Sequence, residues 1–380
     1  MSRLGLIKEN VVLSSDEAFV LCDSNGTEQV RLIQIVGNGG SAIAYKAIRN
    51  KNGSKSVCIV KEYFPEEAEE ENIYVRKKIG DPISITEDRE KELQIQKENI
   101  ERELSANQAV YFDENSDVSN SPYVYHSELF TRFGDASYIV MDTNDGRTLC
   151  EIMRQRLTGE ECLRYLYQLL IIVEHLNSKN YLHGDIKPQN LFVRGDGENQ
   201  SMLLLDFGTV IKLDDYKVDI TNLTKKEIME VADRMKENES LGSTTDSYGS
   251  LGILTVRNHK QMFRTTDHCP ERARAFIESV NNLSVADDLY SIVEIACELF
   301  EKATLDREQR ESVEEVVDDM KEKNETAGYH SVAELREDIE VIECILNNGA
   351  HPAVLEKNFL KSRLLTLPDD FTEELLCDVE

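Results

Sequence analysis

Residues 183–190 read His183-Gly184-Asp185-Ile186-Lys187-Pro188-Gln189-Asn190 and run straight into Leu191-Phe192-Val193. A carboxylate, an ammonium and an amide at short fixed spacing on one loop supply a general base, a phosphate clamp and a metal ligand. After a second apolar run, 202–205, comes Asp206-Phe207-Gly208, where Asp206 offers a metal another carboxylate and Gly208 lets the chain turn. The constraint on the fold is spatial: if these loops share a reaction, both must reach one centre. Two unrelated surface loops are the plain alternative, and the occurrence of both motifs in this order argues against it.

The chain ahead of the octet reads as sheet. Residues 30–36 enter the cluster Gly37-Asn38-Gly39-Gly40-Ser41-Ala42, residues 43–48 leave it, and Asn52-Gly53 turns the chain into a strand over 57–61. A charged helix is predicted over 87–108, with Ile95, Ile100 and Leu104 on one side, then strands over 123–130 and 137–142 joined by a Gly134-Asp135 turn. After Gly146 the pattern becomes helical. Thr158 and Glu161 form a capping box ahead of an apolar face that includes Leu163, Leu166, Leu170 and Val173. Helical patterns dominate from residue 285 onward, among them 332–347. The predicted division is an extension over 1–29, a sheet-rich lobe over 30–142, a larger helical lobe over 143–349 and an acidic tail over 350–380.

Two features of the sheet-rich part carry chemistry. Glycines between strands let backbone N–H groups approach phosphate oxygens, although a simple turn needs the same residues. Lying between two strands, and not between a strand and a helix, the cluster argues against the Rossmann and Walker arrangements. Lys61 ends the apolar strand Val57-Cys58-Ile59-Val60. A lysine among buried neighbours costs several kcal/mol unless an anion meets it. Nucleotide phosphates and a helix carboxylate such as Glu103 would serve; an edge lysine reaching water is the alternative.

The net charge of −29 places acidic residues at 66–71, at 301–325 and on the tail. Such a surface repels nucleic acid and anionic lipid, so neither is expected as a partner. Solubility explains the charge, with an acidic docking surface for a basic partner as the alternative. The eight cysteines lie apart without a Cys-x-x-Cys pair, which predicts buried thiols in a reducing, cytoplasmic setting. No apolar run is long enough for a signal peptide or a bilayer span.

From about residue 30 to 300 these motifs resemble the eukaryotic-type protein kinase superfamily in its bacterial branch, in chain order as well as in kind. The resemblance implies an α+β bilobal fold, with an antiparallel N-terminal β-sheet lobe carrying one main helix and a larger helical C-terminal lobe. It implies ATP and Mg2+ as cofactors and a protein as substrate, and it sets no oligomeric state. Gly37, Asn38, Gly39 and Gly40 would cover the phosphates. Lys61 would bind the α- and β-phosphates while paired with Glu103, for which Glu98 and Glu101 are alternatives. Met141 matches the gatekeeper, and Asp142 to Asn144 would present hinge backbone to adenine. Asp185 would deprotonate the acceptor hydroxyl, Lys187 would steady the γ-phosphate, and Asn190 with Asp206 would hold magnesium. Asp288, in Asp287-Asp288-Leu289-Tyr290, resembles the aspartate that braces the catalytic loop. Lys187-Pro188 and Thr245 match the serine/threonine version of the family.

The chain also departs from the family pattern. Ala42 stands for the third loop glycine, Ala44 for the valine that packs on adenine, and Gly184 for the arginine that reads a phosphorylated activation loop. The last change implies activity without that switch. The usual Ala-Pro-Glu falls on Ser250-Leu251-Gly252, so its glutamate is missing. Within the activation segment, 206–252, the polar insert 221–243 reads either as a docking element with helical character or as a disordered loop. Gly184 also fits aminoglycoside or choline phosphotransferases, and a pseudokinase binding module is a further alternative.

Overall fold

The computed structural model describes residues 12–14, 19–22, 28–38, 42–64, 74–75, 84–85, 89–111, 124–132, 136–142, 146–195, 197, 200–213, 217–236, 274, 277–278 and 281–348. Gly39, Gly40, Gly134-Asp135, Asn144, Thr245, Ser250-Leu251-Gly252 and the tail 350–380 lie outside the described residues. In chain order come strands β1 (Val20–Cys22), β2 (Glu28–Asn38), β3 (Ala42–Lys51), β4 (Ser54–Tyr63), β5 (Tyr74–Val75) and β6 (Ser84–Ile85). Helix α1 (Arg89–Tyr111) precedes β7 (Ser127–Arg132), β8 (Ala136–Asp142) and β9 (Gly146–Thr148). Then follow α2 (Leu149–Ile152), β10 (Leu157–Thr158), α3 (Gly159–Ser178), β11 (Tyr181–Leu182), β12 (Leu191–Arg194), β13 (Ser201–Leu204) and β14 (Ile211–Lys212). The described elements end with α4 (Lys225–Lys236), α5 (Val285–Lys302), β15 (Ala303–Thr304), α6 (Arg307–Thr326) and α7 (Val332–Asn348).

The chain divides into two units, Met1–Arg147 with Phe192–Val210, and Thr148–Leu191 with Ile211–Glu380. In the first, β1, β2, β3, β4, β8 and β7 close in that order into an antiparallel barrel. Asn52 and Gly53 both take positive φ, 53° and 84°, which matches the right-handed twist of the hairpin between β3 and β4. Alternation along β3 turns Tyr45, Ala47 and Arg49 inward, where they meet Leu21, Val30, Leu32 and Val60.

The barrel starts earlier than the sequence pattern suggests. β1 pairs Val20 with Arg31 and Leu21 with Val30, and reaches β7 through Cys22 and Thr131. Part of the expected extension is therefore barrel wall. The reason is apolar filling: Phe19 and Leu21 are buried in the barrel core, and closure leaves no unpaired edge strand. Helix α1 buries Ile100, Ala106 and Val110, and Ile100 packs on Tyr63 and Ile139. The strand expected over 123–130 occupies 127–132, preceded by an isolated bridge between Val124 and Leu204.

The second unit is mainly helical. Thr158 caps α3 in a reciprocal box with Glu161, and the apolar face of α3 is buried from Cys162 to Leu176. Helix α5 is capped the same way by Ser284 and Asp287, and its Leu289, Ile292, Val293 and Leu299 are fully buried. Helices α6 and α7 complete the packing, with Tyr167 of α3 donating to Glu343 of α7. No helix among the described residues is long and apolar enough to cross a membrane. The described cysteines are free thiols, but only Cys58 and Cys162 are buried, while Cys22 is exposed. The expectation of uniformly buried thiols is corrected accordingly, because Cys22 falls on the outward side of β1.

Replacing Leu21 by Ala is expected to cost about 2–5 kcal/mol, as a core cavity does. The exposed neighbour change Val20→Ala should stay within about 0.5 kcal/mol. Urea denaturation of the two variants checks the closure of the barrel.

Candidate functional site

The first unit gathers three of the charged residues named above. Lys61 of β4 places its Nζ 2.9 and 2.8 Å from Glu103 Oε1 and Oε2, and 2.7 Å from Asp206 Oδ1. Glu103 reaches this position because it lies on the stripe of α1 that also carries Ile100, Asn107 and Val110. Glu98 and Glu101 are exposed on the other side, where Glu98 accepts from Gln94 and Glu101 pairs with Lys97. Side-chain exposure is 13% for Lys61, 12% for Glu103 and 42% for Asp206, so the aspartate is the member open to a ligand. Burial by itself lowers the Lys61 pKa, but the two carboxylates outweigh it and hold the ammonium above the ordinary lysine value.

Asp206 sits at φ 60°, a left-handed conformation that costs a residue with a Cβ about 1–2 kcal/mol. The ion pair to Lys61 and the N–H of Gly208, 3.3 Å from Asp206 Oδ1, hold it there. A Cβ at Gly208 would lie 3.2 Å from that same oxygen and 3.6 Å from both Glu103 Oε2 and Lys61 Nζ. A side chain at 208 would thus press on the Asp206 carboxylate, which would have to give by a few tenths of an ångström, while its contacts with Glu103 and Lys61 would be ordinary. At Gly37 the opposite holds: a Cβ would meet Ala44 Cβ at an ordinary 3.5 Å, so packing does not demand glycine there. Asn38 ends β2, paired with Ile43.

Met141 packs beside Tyr63, Ile100 and Ile139 and lines a cavity of about 10 Å³ with Glu103, Leu104 and Phe207. That is about the room one water needs. Asp142 does more than end β8. Its N–H donates to the His126 carbonyl at 3.1 Å, and its Oδ1 accepts from Arg49 Nη1 at 2.7 Å. Burial raises the Asp142 carboxyl, yet His126 and Arg49 together hold it below the ordinary value. Arg49 also bonds Glu28 and Glu128. His126, Glu128 and Asp142 bring ligand-type atoms within 4.8 Å of one another, and the guanidinium is the cation that this cluster already holds. Arg49 was missed in the sequence, although its place in the inward series Tyr45, Ala47, Arg49 was a signal.

In the second unit, the loop 183–190 is held from within and from α5. Lys187 Nζ lies 2.9 Å from Asp185 Oδ2, and Asn190 Nδ2 donates to Asp185 O at 2.9 Å and to Asp185 Oδ2 at 3.0 Å. Asp185, Asn190 and His183 are buried. Pro188–Asn190 form a single 3-10 turn that brings Asn190 back over Asp185. Asp288 accepts from the N–H groups of His183 at 2.8 Å and Gly184 at 2.9 Å. Gly184 has φ 79°, which a side chain would strain.

Burial pushes the Asp288 carboxyl up, and neighbouring Asp287 and Asp185 push the same way; against the two N–H donors the result is a pKa of about 7. A carboxyl raised in the folded state from 3.8 to about 7 lets the protein lose stability as pH rises through that window. Relative to Asp288→Asn, the wild type should therefore lose stability between pH about 4 and 7 and run parallel above it. Urea titrations of both proteins at several pH values measure the difference.

Comparison with known proteins adds a family. Over 71 residues, 19% of this chain, it is 39% identical to the stress-activated protein kinase jnk-1 of Caenorhabditis elegans. Over 122 residues, 30% of this chain, it is 27% identical to the citron Rho-interacting kinase of Mus musculus. The matches span 14% and 6% of those relatives. Among solved structures, the PknI kinase domain of Mycobacterium tuberculosis aligns with a TM-score of 0.47 and 13% identity, over 88% of this chain and 100% of that one. The family model for the protein kinase domain matches residues 30–326 of the 380, and the chain belongs to that family.

Proposed function

We propose that the chain transfers the γ-phosphate of ATP to a serine or threonine hydroxyl of a protein, with magnesium. The observation that carries this reading is the Lys61 ammonium held between Glu103 and Asp206 at 2.8 and 2.7 Å. An ammonium fixed by a largely covered carboxylate, beside a more open aspartate, is suited to binding an anion together with its counter-cation. The Asp206 carboxylate and the Asn190 amide oxygen are hard donors of the kind Mg2+ takes. Magnesium, when bound, neutralises charge on the phosphates.

The chain's own residues divide the remaining work. Lys61 binds the α- and β-phosphates, and Glu103 fixes its direction. Gly37 with Asn38, and Gly39 with Gly40 beyond them, let backbone approach the phosphates. Met141 closes the space behind the base, and the backbone of 142–144 presents the adenine-binding groups. Asp185 takes the proton from the acceptor hydroxyl. Lys187, already paired with Asp185, steadies the γ-phosphate. Lys187-Pro188 supports a serine or threonine acceptor, and the free thiols support a reducing, cytoplasmic setting. In this reading the lobes divide near residue 142, with the activation segment over 206–252.

Gly184 with φ 79° favours, as a second reading, a phosphotransferase acting on small amino alcohols. Labelled ATP with magnesium, offered against a histone mixture and against aminoglycosides and choline, separates the two acceptor classes. Lys61→Met and Asp185→Asn should each lower protein labelling about a hundredfold to ten-thousandfold. Glu101→Gln, on the exposed side of α1, should leave it unchanged. Equal labelling by wild type and Asp185→Asn would sink the assignment.

A further inference from the structure

Among the described residues, the segment after Asp206-Phe207-Gly208 is held in the second unit by backbone, side-chain amide and apolar contacts, with the Arg274 guanidinium donating to the Ile220 carbonyl at 3.5 Å. It enters through β14, which pairs with β11 by Tyr181 to Lys212 and Leu182 to Ile211, while the Leu213 N–H donates to Asn180 O at 3.0 Å. Further along, Val218 donates its N–H to Asn281 Oδ1 at 2.9 Å, and Asn281 Nδ2 donates back to Val218 O at 2.8 Å. One side-chain amide thus satisfies both backbone groups of Val218, as a neighbouring strand would. Thr224 then caps α4 in a reciprocal box with Glu227, at 2.8 and 3.3 Å. Helix α4 buries Ile228 and Ala232 in one core with Leu182, Ile211, Ile220 and Leu283. The described part of the insert, 221–236, is therefore no disordered loop.

We infer that Asn281 is a positioning residue that fixes this segment for phosphotransfer without any phosphorylation, an inference that rests on the function proposed above. Asn281 lies just ahead of Ser284, the N-cap of α5, and α5 carries the Asp288 that holds His183 and Gly184. The loop bearing Asp185 and the segment starting at Ile211 are therefore referenced to the same helix and its lead-in. Leu182, directly before His183, belongs to the core in which Val218 and Leu223 also pack. A shift at Val218 is transmitted to the base through that packing and through the pairing of β11 with β14. The hold on Val218 is neutral and needs no covalent change, which fits a chain whose octet carries glycine where a phosphate-reading side chain would stand.

The test uses the full chain carrying Asn281→Ala, compared with wild type after exhaustive phosphatase treatment. Phosphatase should leave the wild-type rate unchanged. Asn281→Ala should raise KM for a histone mixture about tenfold while KM for Mg-ATP stays within about twofold, since Lys61, Glu103 and Asp206 are held by other contacts. Hydrogen exchange should speed up at least about tenfold over 213–232 in the variant, with 285–300 unchanged. Asn281→Asp, which keeps the acceptor for the Val218 N–H, should fall between wild type and Asn281→Ala. Unchanged exchange in Asn281→Ala, a parallel rise of both KM values, or loss of wild-type activity on phosphatase treatment would overturn the inference. If the wild type labels no acceptor at all, the proposed function fails instead, and the exchange pattern alone decides whether Asn281 holds the segment.

Discussion

A partly buried ammonium in the first unit ties together elements that the chain supplies far apart. Desolvating a lysine side chain costs several kcal/mol, and the cost is offset only where carboxylates meet it with good geometry. Lys61 meets this condition through Glu103 from α1 and Asp206 from the segment after β13. Each partner must arrive in a defined orientation, so the helix is docked by Ile100 on Tyr63 and Ile139, and Asp206 accepts a left-handed backbone. Removing one member of such a cluster leaves a buried charge unpaired, typically at a cost of about 3–5 kcal/mol. The same charges that would serve a nucleotide thus also hold the unit's elements in register.

The barrel contains a second ionic knot with a different purpose. Arg49 is 3% exposed, lies over the Phe130 ring and bonds Glu28, Glu128 and Asp142 from three other strands. Toward the other end of the barrel, where Glu62 faces Ile43, the buried Glu62 accepts from Tyr45 at 2.6 Å and Tyr138 at 3.1 Å. In a chain of net charge −29, one arginine bridging three carboxylates, with Lys51 also paired to Glu28, reduces local repulsion and pins strand register. It also occupies the Asp142 side chain, leaving the strand end beside 143–145 anchored.

The helical unit has ion pairs too, such as Lys187 with Asp185, but it positions its loops through backbone N–H and side-chain amide contacts to one helix and its lead-in. Its two reference points, Asp288 beneath the loop 183–190 and Asn281 beside Val218, both belong to α5 or the residues leading into it. Helix α5 is the best-buried element there and is capped at its start by Ser284 and Asp287. A rigid, capped helix is a sound place from which to position loops, because its own hydrogen bonds are already complete.

Local chemistry by itself determined much of this protein. The octet at 183–190, the triplet at 206–208, the Asn52-Gly53 hairpin and the capping box at Thr158 act over a few residues, so their meaning survives in a linear text. The apolar period of α3 and α7 was legible for the same reason. Only the tertiary structure decided the rest: that β1 closes the barrel, that Glu103 and not Glu98 or Glu101 faces Lys61, that Arg49 is buried, and that Asn281 grips Val218. These depend on which distant segments a side chain meets after packing. A helix of charged residues presents several glutamates at nearly equal spacing, and an asparagine outside any periodic pattern carries no mark of its partner. Long-range contacts are chosen by burial and geometry, which the order of residues encodes only through the whole fold.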